Sequence, residues 1–212
     1  MPTIEQARIW YTSADAVHDF DHVLRVYHTA ERLARLEGAD LEIIGAAALL
    51  HDAEGAAPGT GSKRADHQHA SADFAGRVLK MEGWPAKRID AVQHCIRAHR
   101  FRDNSEPPTT LEAKILFDAD KLDVLGAIGA ARVIAYAALD GNPFYYPPSA
   151  KFLRNGREEP GEPHSSYHEH LFKLRYVGQR MFTASAKALA AERLAYLDAF
   201  FERLIAEWQG EM

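Results

Sequence analysis

The run from Ile43 to Leu50 carries no charged side chain, and it ends abruptly in His51 and Asp52. Such a mixture of small and large apolar residues reads as a buried helix. A buried helix has little use for an imidazole and a carboxylate at its inner end unless something is held there. Burying a charge is costly unless the charge is paired or ligates a metal. Neutral imidazole is a common ligand for transition metals, and carboxylate oxygen suits Mn and Mg. Taken alone, the dipeptide is equally an N–H to carboxylate pair closing a core helix.

Helical periodicity recurs on both sides of this run. Thr3 caps a first helix through about Tyr11, with Glu5 and Gln6 in its opening turn. A second helix runs from about Ala16 to Glu37. Its apolar residues Phe20, Val23, Val26, Tyr27, Ala30, Leu33 and Ala34 recur at spacings of three and four, and Gly38 stops it. Asp40 caps the helix that carries His51-Asp52. Residues 55–65 are loop by composition, and Lys63 and Arg64 within them read as a solvated turn. Helices follow over about Asp66–Glu82 and Ala86–Phe101, with Pro85 at the start of the latter. Thr110 caps the next helix, which contains Asp118, Asp120 and Asp123 and continues, bent near Gly126 or Gly129, to Leu139. Residues 140–164 are rich in Gly, Pro and aromatics without periodicity, as in a functional flap or a disordered segment. Two helical segments, about Ser165–Met181 and Ala184–Gln209, come last. No segment alternates convincingly as a strand.

The expectation is an all-α chain forming a single domain over residues 1–212. Its metal-binding core spans about 16–139, a flap-like loop 140–164, and C-terminal helices 165–209 pack back on the core. A length of 212 residues with 47% hydrophobic and 26% charged residues is an ordinary globular balance. A net charge of -5 gives no broad basic excess for a nucleic-acid polymer. The single cysteine, Cys95, excludes an intramolecular disulfide framework and reads as core. The N-terminus is not a signal peptide, and no apolar run reaches membrane-spanning length. The expected location is cytoplasmic, with no membrane partner.

Polar residues that interrupt apolar helices carry the chemistry. His18 and His22 are four apart and share a face with each other, as His22 does with Arg25. His22 sits among Phe20, Val23 and Val26 and is at least half buried by that setting. Asp120 and Asp123 are three apart and share a face, whereas Asp118 points well away from Asp120. The neighbours Ile115, Leu116, Phe117, Leu122, Val124 and Leu125 leave little solvated face for these carboxylates. His22, His51, Asp52 and Asp120 therefore form a set of two imidazoles and two carboxylates from three buried helices. Such a set leaves open positions on an octahedral ion. It favours Mn, Fe or Co over Ca, and no Cys cluster suggests structural zinc.

The order His … His-Asp … Asp resembles that of the HD superfamily of metal-dependent phosphohydrolases. The segment His18-Asp19-Phe20-Asp21-His22-Val23-Leu24-Arg25-Val26 is similar to the first-helix motif of a subgroup of small standalone bacterial HD proteins, the YedJ/YpgQ type. So are Ala48-Leu49-Leu50-His51-Asp52, Ala98-His99-Arg100-Phe101, Glu112-Ala113-Lys114-Ile115 and Asp118-Ala119-Asp120-Lys121-Leu122. The segment Gly126 to Val133, and the regions of Lys173-Leu174 and Thr183-Ala184, fit as well. The resemblance implies a helical HD fold, one divalent transition metal (Mn first, with Fe, Co, Ni or Mg as alternatives) and hydrolysis of a nucleotide. It places the metal ligands at His22, His51, Asp52 and Asp120. Asp120 is preferred to Asp118 for its Ala-Asp-x-Leu context. The paired acidic motif of the alarmone hydrolases is missing after Asp52, and the Gly-Tyr-Pro signature of the cyclic-dinucleotide branch is absent.

The mechanism implied is attack by a metal-activated water on phosphorus. Asp52 and Glu54 are the catalytic candidates, Glu54 as an orienter of the water or simply an exposed helix-end carboxylate. Arg25, His99 and Lys121 are the candidate cations for a small phosphorylated substrate, most simply a nucleoside triphosphate. His67 and His69 diverge, as do His94 and His99, so at most one of each pair can join the site. If one of each does, six ligands can hold two metals, as in the dinuclear HD phosphodiesterases and oxygenases. A third alternative is a non-catalytic nucleotide or metal sensor.

Overall fold

The computed structural model describes residues 1–11, 20–54, 67–100 and 106–211. Its helices are α1 (Ile4–Arg8), α2 (Phe20–Glu37), α3 (Leu41–Leu50), α4 (His67–Met81), α5 (Ala86–Ala98), α6 (Leu111–Leu122), α7 (Gly126–Leu139), α8 (Ala150–Asn155), α9 (Ser166–Phe172) and α10 (Ala184–Gln209). A 3-10 helix, Leu174–Arg180, lies between α9 and α10. No strand occurs among the described residues, so the fold is all-α as expected. No single described helix is long and apolar enough to cross a membrane. The expectations placed on Ala16 to Asp19, on His18, on the loop 55–65 with Lys63 and Arg64, and on Phe101 fall outside the described residues.

Two compact units divide the chain: residues 1–120 with 181–186, and residues 121–180 with 187–212. In the first, α3 is the centre. Every residue from Ile44 to Leu50 is buried, and α2 and α5 pack against it. Asp40 caps α3 by accepting from the Glu42 and Ile43 backbone N–H groups, and Arg88 of α5 donates to the same carboxylate at 2.9 Å. The α1 cap is reciprocal: Thr3 accepts from Gln6 N–H while the Gln6 side chain accepts from Thr3 N–H.

Residues 181–186 close this unit. Asp118, fully buried on α6, accepts from the Phe182 N–H at 2.9 Å, the Thr183 N–H at 2.9 Å and the Thr183 hydroxyl at 2.8 Å. Glu37, the last residue of α2, accepts from the Ser185 N–H at 2.8 Å and the Ser185 hydroxyl at 2.6 Å. One short segment thus braces two helices that carry predicted ligands, α2 and α6.

In the second unit, Glu162 organises the segment expected to be a flap. One carboxylate oxygen accepts from Ser149 N–H at 2.6 Å and lies 3.1 Å from His168 Nε2, and the other accepts from Glu159 N–H at 2.7 Å. Burial raises the Glu162 pKa, but these donors outweigh it and hold the carboxyl down at about 2. The segment 140–164 therefore contains a helix, α8, rather than structureless chain. The helix expected to run from Thr110 to Leu139 is also two helices. Leu125 is extended, and Gly126 adopts a φ of 71°, which an L side chain rarely tolerates.

Asp118→Ala is expected to lower the unfolding free energy by about 3 kcal/mol, because one buried and one partly buried backbone N–H group, with the Thr183 hydroxyl, lose their acceptor. Denaturant unfolding of the variant checks this, and unchanged stability would show that the brace is idle.

Candidate metal centre

The site is built at two helix ends. The last carbonyls of an α-helix have no partner within the helix. His51 follows α3, and its Nδ1 lies 2.8 Å from the Ala48 carbonyl. His99 follows α5, and its Nδ1 lies 2.5 Å from the Ile96 carbonyl. A carbonyl only accepts, so each Nδ1 carries the proton and each Nε2 keeps its lone pair. Each ring therefore caps its own helix with one nitrogen and offers the other as a ligand. Tyr11 supports the same helix end, donating its hydroxyl to the Leu49 carbonyl at 2.9 Å and bonding the Asp52 backbone.

Two groups of ligand atoms meet here, each with its atoms within 4.8 Å of one another: His22 with His51 and Asp52, and Asp52 with His67 and His99. Asp120 joins the first group through an Oδ1 placed 3.4 Å from His22 Nε2. Asp52 stands between the groups. Its Oδ2 is 3.7 Å from His51 Nε2, and its Oδ1 is 3.0 Å from His67 Nε2 and 3.5 Å from His99 Nε2.

Electrostatics keep these residues in ligand form. Burial pushes His51 down to a pKa of about 4, with Asp52 opposing and the His99 and His22 rings assisting, so it is neutral at pH 7. Burial works against the ionisation of Asp52, but the imidazoles of His51, His67 and His99 outweigh it and hold its carboxyl well below the usual range. Metal ligation requires these two forms, neutral imidazole and ionised carboxylate.

These residues fit a divalent metal. Among the described residues His51 Nε2 is a buried polar atom with no hydrogen-bond partner, although buried polar groups nearly always have one. Its lone pair sits with the Asp52 carboxylate in a nitrogen and oxygen set suited to Mn, Fe or Co.

The other predicted residues divide. Glu54 is exposed, its carboxylate facing Arg77 at 3.9 Å, and it belongs to neither ligand group. Arg25 and Lys121 are half-buried, three residues beyond His22 on α2 and one beyond Asp120 on α6. Of the histidine pairs, His99 reaches the centre, whereas His94 bonds Glu106 and accepts from Thr109 N–H. His67 reaches it too, while His69 is exposed. Asp123 pairs with Arg132 within the second unit. Sequence reasoning missed Tyr11 and the Asp118 brace. It named Arg100 only within a motif, and in the structure Arg100 bonds His67.

Buried His and Asp side chains from several helices, converging with a neutral imidazole and an ionised carboxylate at their centre, define a helical metal-site protein. The chain belongs to the HD domain family, whose sequence pattern matches residues 19–125. It is 31% identical over 213 residues to the uncharacterized protein YpgQ of Bacillus subtilis (strain 168), spanning 97% of this chain and 94% of that protein. The crystal structure of Bacillus subtilis YpgQ in complex with ADP superposes with a TM-score of 0.73 at 28% identity, covering 97% of each chain. A crystal structure of an HD-superfamily hydrolase from Bacillus thuringiensis gives a TM-score of 0.71 at 29% identity, covering 97% of this chain and 96% of that one.

Two outcomes are expected. Asp120→Ala loses the bound metal by elemental analysis while Asp118→Ala retains it, and the reverse pattern would show that the wrong face of α6 is aimed at the centre. The metal-free protein loses stability as pH falls from the ordinary histidine value of 6.5 to about 4. Above that window His51 is neutral in both states, and within it only the unfolded chain takes the proton, a difference on the order of 3 kcal/mol. Urea unfolding at several pH values reads the slope, which should flatten in His51→Gln.

Proposed function

We propose that this protein is a divalent-metal-dependent phosphohydrolase acting on a nucleoside triphosphate or a similar phosphoanhydride. The observation that carries the reading is the convergence of the unpartnered His51 Nε2 with Asp52, His22 and Asp120. A divalent ion in this setting lowers the pKa of a bound water and polarises a phosphoryl oxygen. The chain supplies the rest. Asp52 stays ionised beside three imidazoles, and its carboxylate can accept a hydrogen bond that orients the attacking water. In-line displacement leaves charge on the equatorial phosphoryl oxygens, and neutralising it falls to Arg25 and Lys121. His99, expected as a phosphate contact, spends its ring proton on the Ile96 carbonyl and turns an Nε2 lone pair toward the centre, 3.5 Å from Asp52, which suits a ligand better than a phosphate donor. Glu54, exposed and facing Arg77, is the weaker of the two carboxylates named for water activation. Support for a nucleotide comes from the relative YpgQ, which crystallised with ADP.

A second reading, a dinuclear centre of the phosphodiesterase or oxygenase kind, is favoured by the grouping of Asp52 with His67 and His99.

Chelated protein is expected to release no phosphate or pyrophosphate from a panel of nucleoside triphosphates, deoxynucleoside triphosphates and monophosphates. Restored Mn should return the activity, with triphosphates cleaved fastest. Full activity after verified demetallation would overturn the metal mechanism, and preference for monophosphates would overturn the substrate class.

A further inference from the structure

The rings around Asp52 do not all turn the same atom toward it in the same protonation form. His51 and His99 give their Nδ1 protons to backbone carbonyls and keep Nε2 lone pairs. Metal-bound histidines have this arrangement, the distal nitrogen donating to a carbonyl or carboxylate. His67 reverses it. Its Nδ1 lies 2.9 Å from Nη1 of Arg100. A guanidinium has donors and no acceptor, and it stays charged in proteins. Nδ1 of His67 must therefore hold the lone pair, and the proton of the neutral ring sits on Nε2. That same Nε2 is 3.0 Å from Asp52 Oδ1.

We propose that Arg100 sets the number of metal ions in the centre. By fixing His67 with its proton on Nε2, it withdraws one of the three ligands of the Asp52, His67 and His99 group. A ring nitrogen that carries a proton has no lone pair for an ion. The proton also points at Asp52 Oδ1, 3.0 Å away, as a hydrogen-bond donor and so partly offsets its charge. The guanidinium adds a fixed like charge one imidazole ring away, which opposes a second cation at that position. The centre is thereby mononuclear at the His22, His51, Asp52 and Asp120 set. The arrangement depends on which nitrogen holds the proton of a neutral ring, not on any change of net charge. This inference rests on the metal reading of the centre and deepens it.

The test is metal stoichiometry together with the His67 tautomer. After equilibrium dialysis against Mn and elemental analysis, wild type is expected to hold one ion per chain and His67→Ala also one. Arg100→Met fills similar space without a donor and is expected to hold two, and the double variant with His67→Ala to return to one. Nitrogen NMR of metal-free wild type labelled at histidine should show His67 protonated at Nε2. It decides the matter even if the Arg100 variant fails to fold. Two ions in wild type, one ion in folded Arg100→Met, or His67 protonated at Nδ1 would each overturn the proposal. Those outcomes leave the metal centre itself standing. Absence of any bound ion in wild type would instead remove the centre, and this inference with it.

Discussion

The structure of the centre depends on one hydrogen bond made twice, from a histidine Nδ1 to the carbonyl three residues back at the end of a buried helix. An uncapped carbonyl in the core would lack a partner, and a free imidazole there would be disordered between rotamers. The bond removes both problems and leaves Nε2 facing inward. It also explains why α3 is so completely buried. A ligand held by its own helix end is positioned only as well as that helix is positioned, and α3 is gripped by α2 and α5 and capped at its start by Asp40. Tyr11 adds a further grip at its end.

The sequence made much of this legible. An uncharged run ending in His-Asp can be read as a buried helix with a polar end, because hydropathy and ligand chemistry are both local properties. The separation of Asp120 from Asp118 was also readable, since helical geometry sends residues two apart in different directions. In the structure Asp120 faces His22 while Asp118 faces Thr183. The divergence of the histidine pairs follows the same rule, with His94 on Glu106 and His99 on Asp52.

What stayed hidden depends on partners distant in the chain. Nothing near Asp118 announces that its acceptors serve residues some sixty positions on. Tyr11 and the Leu49 carbonyl are separated by 38 positions, and Arg100 and His67 by 33. The segment 140–164 reads as loop because its order comes from one side chain, Glu162, and not from periodicity. The break before α7 was half visible: glycines marked it, but only the φ of Gly126 makes it a termination rather than a bend.

The brace by residues 181–186 bears on how the molecule comes into being. The unit that holds the centre is discontinuous, finished by a segment that follows about sixty residues of the other unit. Chain emerging during synthesis up to Asp120 already contains every proposed ligand, yet Asp118 and Glu37 then lack the donors that satisfy them. The brace on the ligand-bearing helices α2 and α6 therefore forms only once a stretch some sixty residues further along the chain has been made. A nascent chain released early would carry the whole ligand set without the contact that braces it.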